Sequence, residues 1–149
     1  MICFDTGKIV LKNYTEKIII GMNGMDKLKK LYAEINSLNE ELPAELAKKI
    51  YLYAQVLQLV GKYHAESTRE YKRAYADRKR AWGEALLVHE GTGKEKEGSA
   101  EVEAYKYRQI EAEKEAEMWR WKNSFAATQE IINALKIQLK TLMKEYEDS

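Results

Sequence analysis

The chain has 149 residues, 33% of them charged and 45% hydrophobic, with a single proline; this composition disfavours disorder and suits one soluble helical domain. A formal net charge of +1 removes any global pull towards nucleic acid, anionic membrane or acidic substrate, so electrostatic targeting has to come from local patches. Cys3 is the only cysteine, which excludes an intrachain disulfide, and neither a signal peptide nor an apolar run of about 18 residues occurs, so a cytoplasmic protein with no membrane partner is expected.

Residues 1–24 read as a small N-terminal β-like appendage. Ile9, Val10 and Leu11 and the run Ile18-Ile19-Ile20 flank Asn13-Tyr14-Thr15-Glu16 as a turn, and β-branched residues favour strands. A lone two-stranded hairpin is marginal in water, so such a segment needs something to lie against. Residues 25–149 then form a single helical domain. Its first helix is expected over about 26–41, with Asp26 as its cap and Leu28, Leu31, Tyr32, Ile35, Leu38 and Leu42 recurring at helical spacing.

Pro43 suits the first turn of a second helix over 43–90, where its missing N–H removes no hydrogen bond. This helix carries two apolar stripes. One is Leu46, Ile50, Tyr53, Leu57, Val60, His64, Ser67, Tyr71, Ala74, Arg78, Ala81, Ala85 and Val88, spaced alternately by four and three; the other is Leu52, Val56, Leu59 and Tyr63. A helix apolar on two sides is packed on two sides, which predicts a three-helix base from which two helices continue as an arm. Gly91 can take a left-handed cap conformation, and Thr92 with Glu95 makes a capping box for a third helix over 93–147. Gly98-Ser99 offers a later start.

The third helix repeats the pattern with Ala100, Ala104, Tyr107, Glu111, Lys114, Met118, Trp121, Phe125, Thr128, Ile132, Leu135, Leu139, Leu142 and Tyr146. A 3.5-residue repeat sustained this long marks a coiled-coil seam. The fold class expected is therefore mainly α: a long antiparallel two-helix coiled-coil hairpin with a short third helix at its base. Two registers compete. In one, Arg78 faces Glu111 and small residues meet large; in the other, one heptad away, Ile50 faces Ile132, Leu57 faces Phe125 and Val60 faces Trp121. The tight turn at Thr92 favours the second.

Motifs for chemistry are sparse. His64 and His89 lie 25 residues apart with no metal-ligand spacing around them, and His64 occupies a seam position where a hydrogen-bonded structural histidine is the plain reading. Gly91-Thr92-Gly93-Lys94 lacks the spacing and the preceding strand of a phosphate-binding loop. Glu111, Glu113, Glu115 and Glu117 have no cleft in a two-helix arm to shift their ionisation. No catalytic residue, metal or cofactor is assigned, and the expectation is a protein that is not an enzyme.

Two surface features remain. From Arg69 to Trp82, Arg69, Lys72, Arg73, Lys79 and Arg80 fall on the outward face with Tyr75 and Trp82 beside them, and cations interleaved with rings can bind phosphates and stack bases. This stretch carries +4, whereas residues 101–117 of the opposing arm carry −3, which predicts that much of the patch is answered inside the coiled coil. The second feature is Tyr105, Ala112, Trp119 and Ala126, at strict seven-residue spacing on the far side of the third helix, with Arg120 next to Trp119. Aromatic, small and arginine residues repeating away from a seam indicate a docking edge, most simply for a twofold homodimer or for another protein.

The turn Glu90-Gly91-Thr92-Gly93-Lys94-Glu95-Lys96-Glu97 and the segment from Trp121 to Lys136 resemble small helical-hairpin proteins of phage and prophage early gene regions. That resemblance implies an accessory or host-takeover protein, such as an inhibitor of host defence, that docks on a host or phage protein in the host cytoplasm. The alternative it implies is a nucleic-acid-binding accessory of phage recombination or replication.

Overall fold

The computed structural model describes residues 24–148. Of the β-like segment, residues 1–23 lie outside them, and residue 24 is already helical. Helix makes up 91% of the described residues, with no strand among them. The elements are α1 (24–36), α2 (Pro43–Val88) and α3 (Gly93–Glu147).

Helix α1 buries Leu28, Leu31 and Ile35 on one face, as the helical spacing requires. Asp26 falls inside it, not at its cap, and it ends at residue 36, short of the expected 41. Local side-chain bonds cause the early stop: the Ser37 hydroxyl donates to the Glu34 carbonyl, Asn39 Oδ1 accepts from the Glu41 N–H, and the Glu45 carboxylate accepts from the Asn39 N–H. Ser and Asn offer the backbone this alternative to helix wherever it can turn. Helix α2 then starts at Pro43 as predicted, its Leu46 N–H donating to the Leu42 carbonyl.

The chain divides into two compact units. One takes residues through Leu59 together with those from Ile131, and its core joins Leu28, Leu31 and Ile35 of α1 to Leu46, Leu52 and Val56 of α2 and Ile132 and Leu135 of α3. Leu52 and Val56 of the predicted second stripe of α2 are buried here, whereas Tyr63 of that stripe lies against Trp121 of α3. Lys48 pairs with Glu34 at 2.8 Å, and Lys49 reaches Glu40 in the connection between α1 and α2. Tyr32 meets Tyr53 edge to face at 6.5 Å, and burial, with Tyr53 beside it, pushes the Tyr32 hydroxyl above its ordinary ionisation range.

The other unit is Val60–Glu130. Its buried positions are mostly small: Val60, Ser67, Ala74 and Ala85 on α2, Ala100, Ala104 and Thr128 on α3. Ser67 and Thr128 satisfy their hydroxyls within their own helices, on the carbonyls of His64 and Ser124. A Cβ on Gly61 would lie 3.2 Å from the Phe125 ring, Tyr63 lies 4.6 Å from Trp121 centroid to centroid, Lys114 bonds Glu70 at 2.6 Å, and Arg78 bonds Glu111. As residue number rises along α2, it falls along α3.

These contacts choose neither of the two expected registers outright: Arg78 pairs with Glu111 as in the first, whereas Tyr63 against Trp121 and Glu70 against Lys114 lie nearer the second. The tight connection is present: α3 begins at Gly93, not at Ser99; Gly91 has φ 127°; and the Glu95 carboxylate accepts from both the backbone N–H and the hydroxyl of Thr92 at 2.8 Å. Arg78 nevertheless reaches Glu111, and the second register in full would set Arg78 opposite Ala104 and Glu111 opposite Tyr71, leaving both charges half-buried and unpaired. The turn does not oppose this, since the first residues of α3 are largely exposed and Ala100 is the first to enter the seam.

Candidate functional site

Both surface features found in the sequence lie in the Val60–Glu130 unit. On α2, Arg69, Lys72, Arg73, Tyr75, Lys79 and Arg80 are exposed and Trp82 is half-buried. Ala74 is buried in their midst and fixes which way the face points, because residues one and two positions from a buried helical residue turn outwards. Tyr75 has the Arg78 guanidinium 5.2 Å and the Lys79 ammonium 5.9 Å from its ring centre, so its face is already occupied by cations of its own helix.

The expected internal neutralisation of this patch is much smaller than the opposed net charges suggested. Arg78 alone among its cations pairs with α3, through Glu111. Arg80 is answered within α2 by Asp77 at 3.4 Å and Glu84 at 3.9 Å, and the second pair across the helices runs the other way, from Glu70 of α2 to Lys114 of α3. Among the described residues Arg69, Lys72, Arg73 and Lys79 make no ion pair. Net charge counts residues on every face of a helix, whereas pairing requires the ones that flank the seam.

On α3, Tyr105 is 61% and Trp119 45% exposed, and Ala112, Arg120 and Ala126 are exposed with them. Trp119 carries the Lys122 ammonium 4.4 Å from its ring centre, Tyr105 accepts from Gln109 Nε2 at 3.1 Å, and Arg120 approaches Glu117 at 3.9 Å. The strip is longer and denser than the seven-residue spacing revealed. Val102, 76% exposed, and Gln109, Ala116 and Asn123, all exposed, interleave with it at spacings of three and four. The signal for these four was present in the sequence as a second 3.5-residue repeat, but two amides in it hide the pattern from a search for apolar residues alone.

Among the described residues no group of three or more His, Cys, Asp or Glu side chains could hold a metal ion. His64 is half-buried, its carbonyl accepting from Ser67 and Thr68 and its Nδ1 lying 3.4 Å from the Thr68 hydroxyl. The carboxyls of Glu95 and Glu40 sit below their ordinary range, through hydrogen bonds from Thr92 and Lys49 respectively; a proton donor at neutral pH needs the opposite shift. Depressions at Leu139-Met143 on α3 and between His89 and Val102 beside the turn are open surface features. No helix among the described residues is long and apolar enough to cross a membrane.

Comparison of the chain with protein-family models, curated proteins and solved structures finds no match.

Proposed function

We propose that the protein is a non-enzymatic interaction module: an antiparallel coiled-coil hairpin, α2 against α3, that acts by docking another macromolecule on the outward strip of α3. The observation that carries this reading is the exposed line of Val102, Tyr105, Ala112, Trp119 and Ala126 on the opposite side of α3 from the seam. Large rings with small residues between them provide the anchors and the close approach that a helical interface needs. Read with the resemblance to phage early-region proteins, the target is a protein of replication, recombination or host defence whose surface this one occupies. Trp119→Glu tests the reading, because it inserts a charge at the centre of the strip without touching the seam. Capture of binding proteins from host extract by the wild-type chain, lost with Trp119→Glu at unchanged helicity, is the expected result; equal capture by both removes the basis of the reading.

A second reading is favoured by one observation, the four exposed cations Arg69, Lys72, Arg73 and Lys79 that no carboxylate among the described residues answers. Such a face neutralises phosphates and releases counterions, giving an affinity that falls steeply with salt. If this face binds nucleic acid, Arg73→Glu with Lys79→Glu lowers the affinity and flattens its salt dependence for every sequence tested. Unchanged affinity and slope dispose of it.

A further inference from the structure

The charges that border the strip on α3 identify what covers it. Val102, Tyr105, Gln109, Ala112, Ala116, Trp119, Asn123 and Ala126 occupy the two core positions of a second heptad register, opposite the seam residues Tyr107, Lys114 and Trp121. Along one border run Glu101, Arg108, Glu115 and Lys122; along the other, Lys106, Glu113 and Arg120. Charge alternates in sign at every heptad on both borders. An alternating line of this kind is complementary to a reversed copy of itself, and a partner of unrelated sequence would leave the alternation without a reason.

We propose that a second copy of this chain packs on the strip, α3 against α3, antiparallel about a twofold axis passing near Ile110 and Glu111. The inference rests on the docking role proposed for the strip and names its occupant. In this register Tyr105 lies over the partner's Ala116, Trp119 over the partner's Val102, and Gln109 beside the partner's Ala112. Each ring therefore meets a smaller side chain, which lets the helices stay evenly spaced. Along the borders Arg108 meets the partner's Glu115, Lys106 meets the partner's Glu113, and Glu101 meets the partner's Lys122. These are three attractive pairs, each made twice by the symmetry, and no like charges face one another.

The alternatives fare worse on the same residues. A slip of one heptad towards the C-terminus sets Glu113 against the partner's Glu113, Glu115 against the partner's Glu115, Arg108 against the partner's Lys122 and Lys106 against the partner's Arg120, so that every border pair repels. A slip of two heptads restores attraction but lays Tyr105 on the partner's Glu130 and Val102 on the partner's Asn133. A parallel dimer in register keeps attractive borders but stacks Trp119 on Trp119 and Tyr105 on Tyr105, which holds the helices apart over Ala112 and Ala116 and leaves voids there. Within one chain Arg108 already bonds Glu101 at 2.6 Å, an exposed pair that can be exchanged for a pair across the interface at little cost. Glu113 makes no ion pair among the described residues and is open to a partner.

The test is a charge exchange in the full chain, read by sedimentation equilibrium at low ionic strength, with far-ultraviolet circular dichroism to show that each variant is folded. Wild type is expected to be a dimer; Lys106→Glu and Glu113→Lys, each setting like charges together twice, are expected to weaken it about tenfold. Both substitutions in one chain restore opposite charges, and dimerisation should return to within about twofold of wild type. Restoration is specific to this register, because residues 106 and 113 face each other in neither the slipped nor the parallel arrangement. A wild-type chain that is monomeric at about 0.1 mM overturns the proposal, as does a double variant that associates no better than the single ones. A monomer that still captures a host protein in a Trp119-dependent way overturns the self-pairing alone and leaves the docking role standing.

Discussion

The ion pair between Arg78 and Glu111 permits a quantitative prediction about what it contributes to the Val60–Glu130 unit. The two side chains are 20% and 15% exposed, well inside the seam yet not dry. Exposed pairs contribute about 0.2–1 kcal/mol, whereas removing one member of a fully buried pair costs about 3–5 kcal/mol because the other charge is left without a partner. A pair with this residual exposure lies between these limits, so Arg78→Met, which leaves the largely buried Glu111 carboxylate without its partner, is expected to cost about 2 kcal/mol. Glu111→Leu should cost less, about 1 kcal/mol, because the longer guanidinium can bend out to water. Joining the two substitutions replaces the pair with apolar packing and is expected to return stability to within about 1 kcal/mol of wild type. Urea unfolding of the four chains gives the cycle directly, provided the denaturant slopes agree. A double variant that loses the sum of the single effects would refute the reasoning, because the cost would then come from lost packing rather than from an orphaned charge.

Gly83 sits in the interior of α2 with nothing within 4 Å of where a Cβ would be, so Gly83→Ala should stabilise the chain by about 0.8 kcal/mol, measured as a higher urea midpoint. Gly91→Ala should do the reverse, by about 1 kcal/mol or more, because its φ of 127° strains any other residue and a Cβ would stand 2.8 Å from the Glu95 carboxylate. Stability should form a plateau between acid and alkaline falls. Hydrogen bonds hold Glu95 and Glu40 below the ordinary 4.5, so their contribution is complete above that value and is lost as pH drops through the folded range. On the alkaline side, the bond to Glu70 raises Lys114 above 10.5 and burial raises Tyr63 above 10.0, so both contributions are complete below those values and fade as pH rises through them. Thermal midpoints that decline steadily between about pH 6 and 9 would contradict this assignment. Glu95→Gln should shrink the acid fall and leave the alkaline one unchanged.

Much of the structure was legible because a helix writes its packing into a period. Of the 27 seam positions read from the sequence, all but Val88 and Tyr146 are buried or half-buried, and the bounds of α3 are those expected from the cap at Thr92. A capping pair and a seven-residue repeat are local signals, and local signals survive in one chain read alone. The end of α1 was not legible to the same degree, because Leu38 and Leu42 continue the apolar spacing past Asn36 while the bonds that stop the helix form only once Glu45 and Asn39 approach one another.

The register escaped for a different reason, and the same reason bears on the candidate site. Apolar periodicity is unchanged by a slip of seven residues, so the hydrophobic pattern cannot choose between registers; only residues that break the pattern can. In the seam these are Arg78 and Glu111, whose pair the second register would break. On the outward strip of α3 they are Lys106, Glu113, Arg108 and Glu115. A whole-segment net charge blurred both sets, predicting that the basic face of α2 is neutralised by α3 when Arg78 alone among its cations reaches across. Position along the heptad, not total charge, carries the information. The charge exchange between residues 106 and 113 applies that rule to the outer strip, where a pair of opposite charges can report on an intermolecular register as the pair of Arg78 and Glu111 does on the packing of α2 and α3.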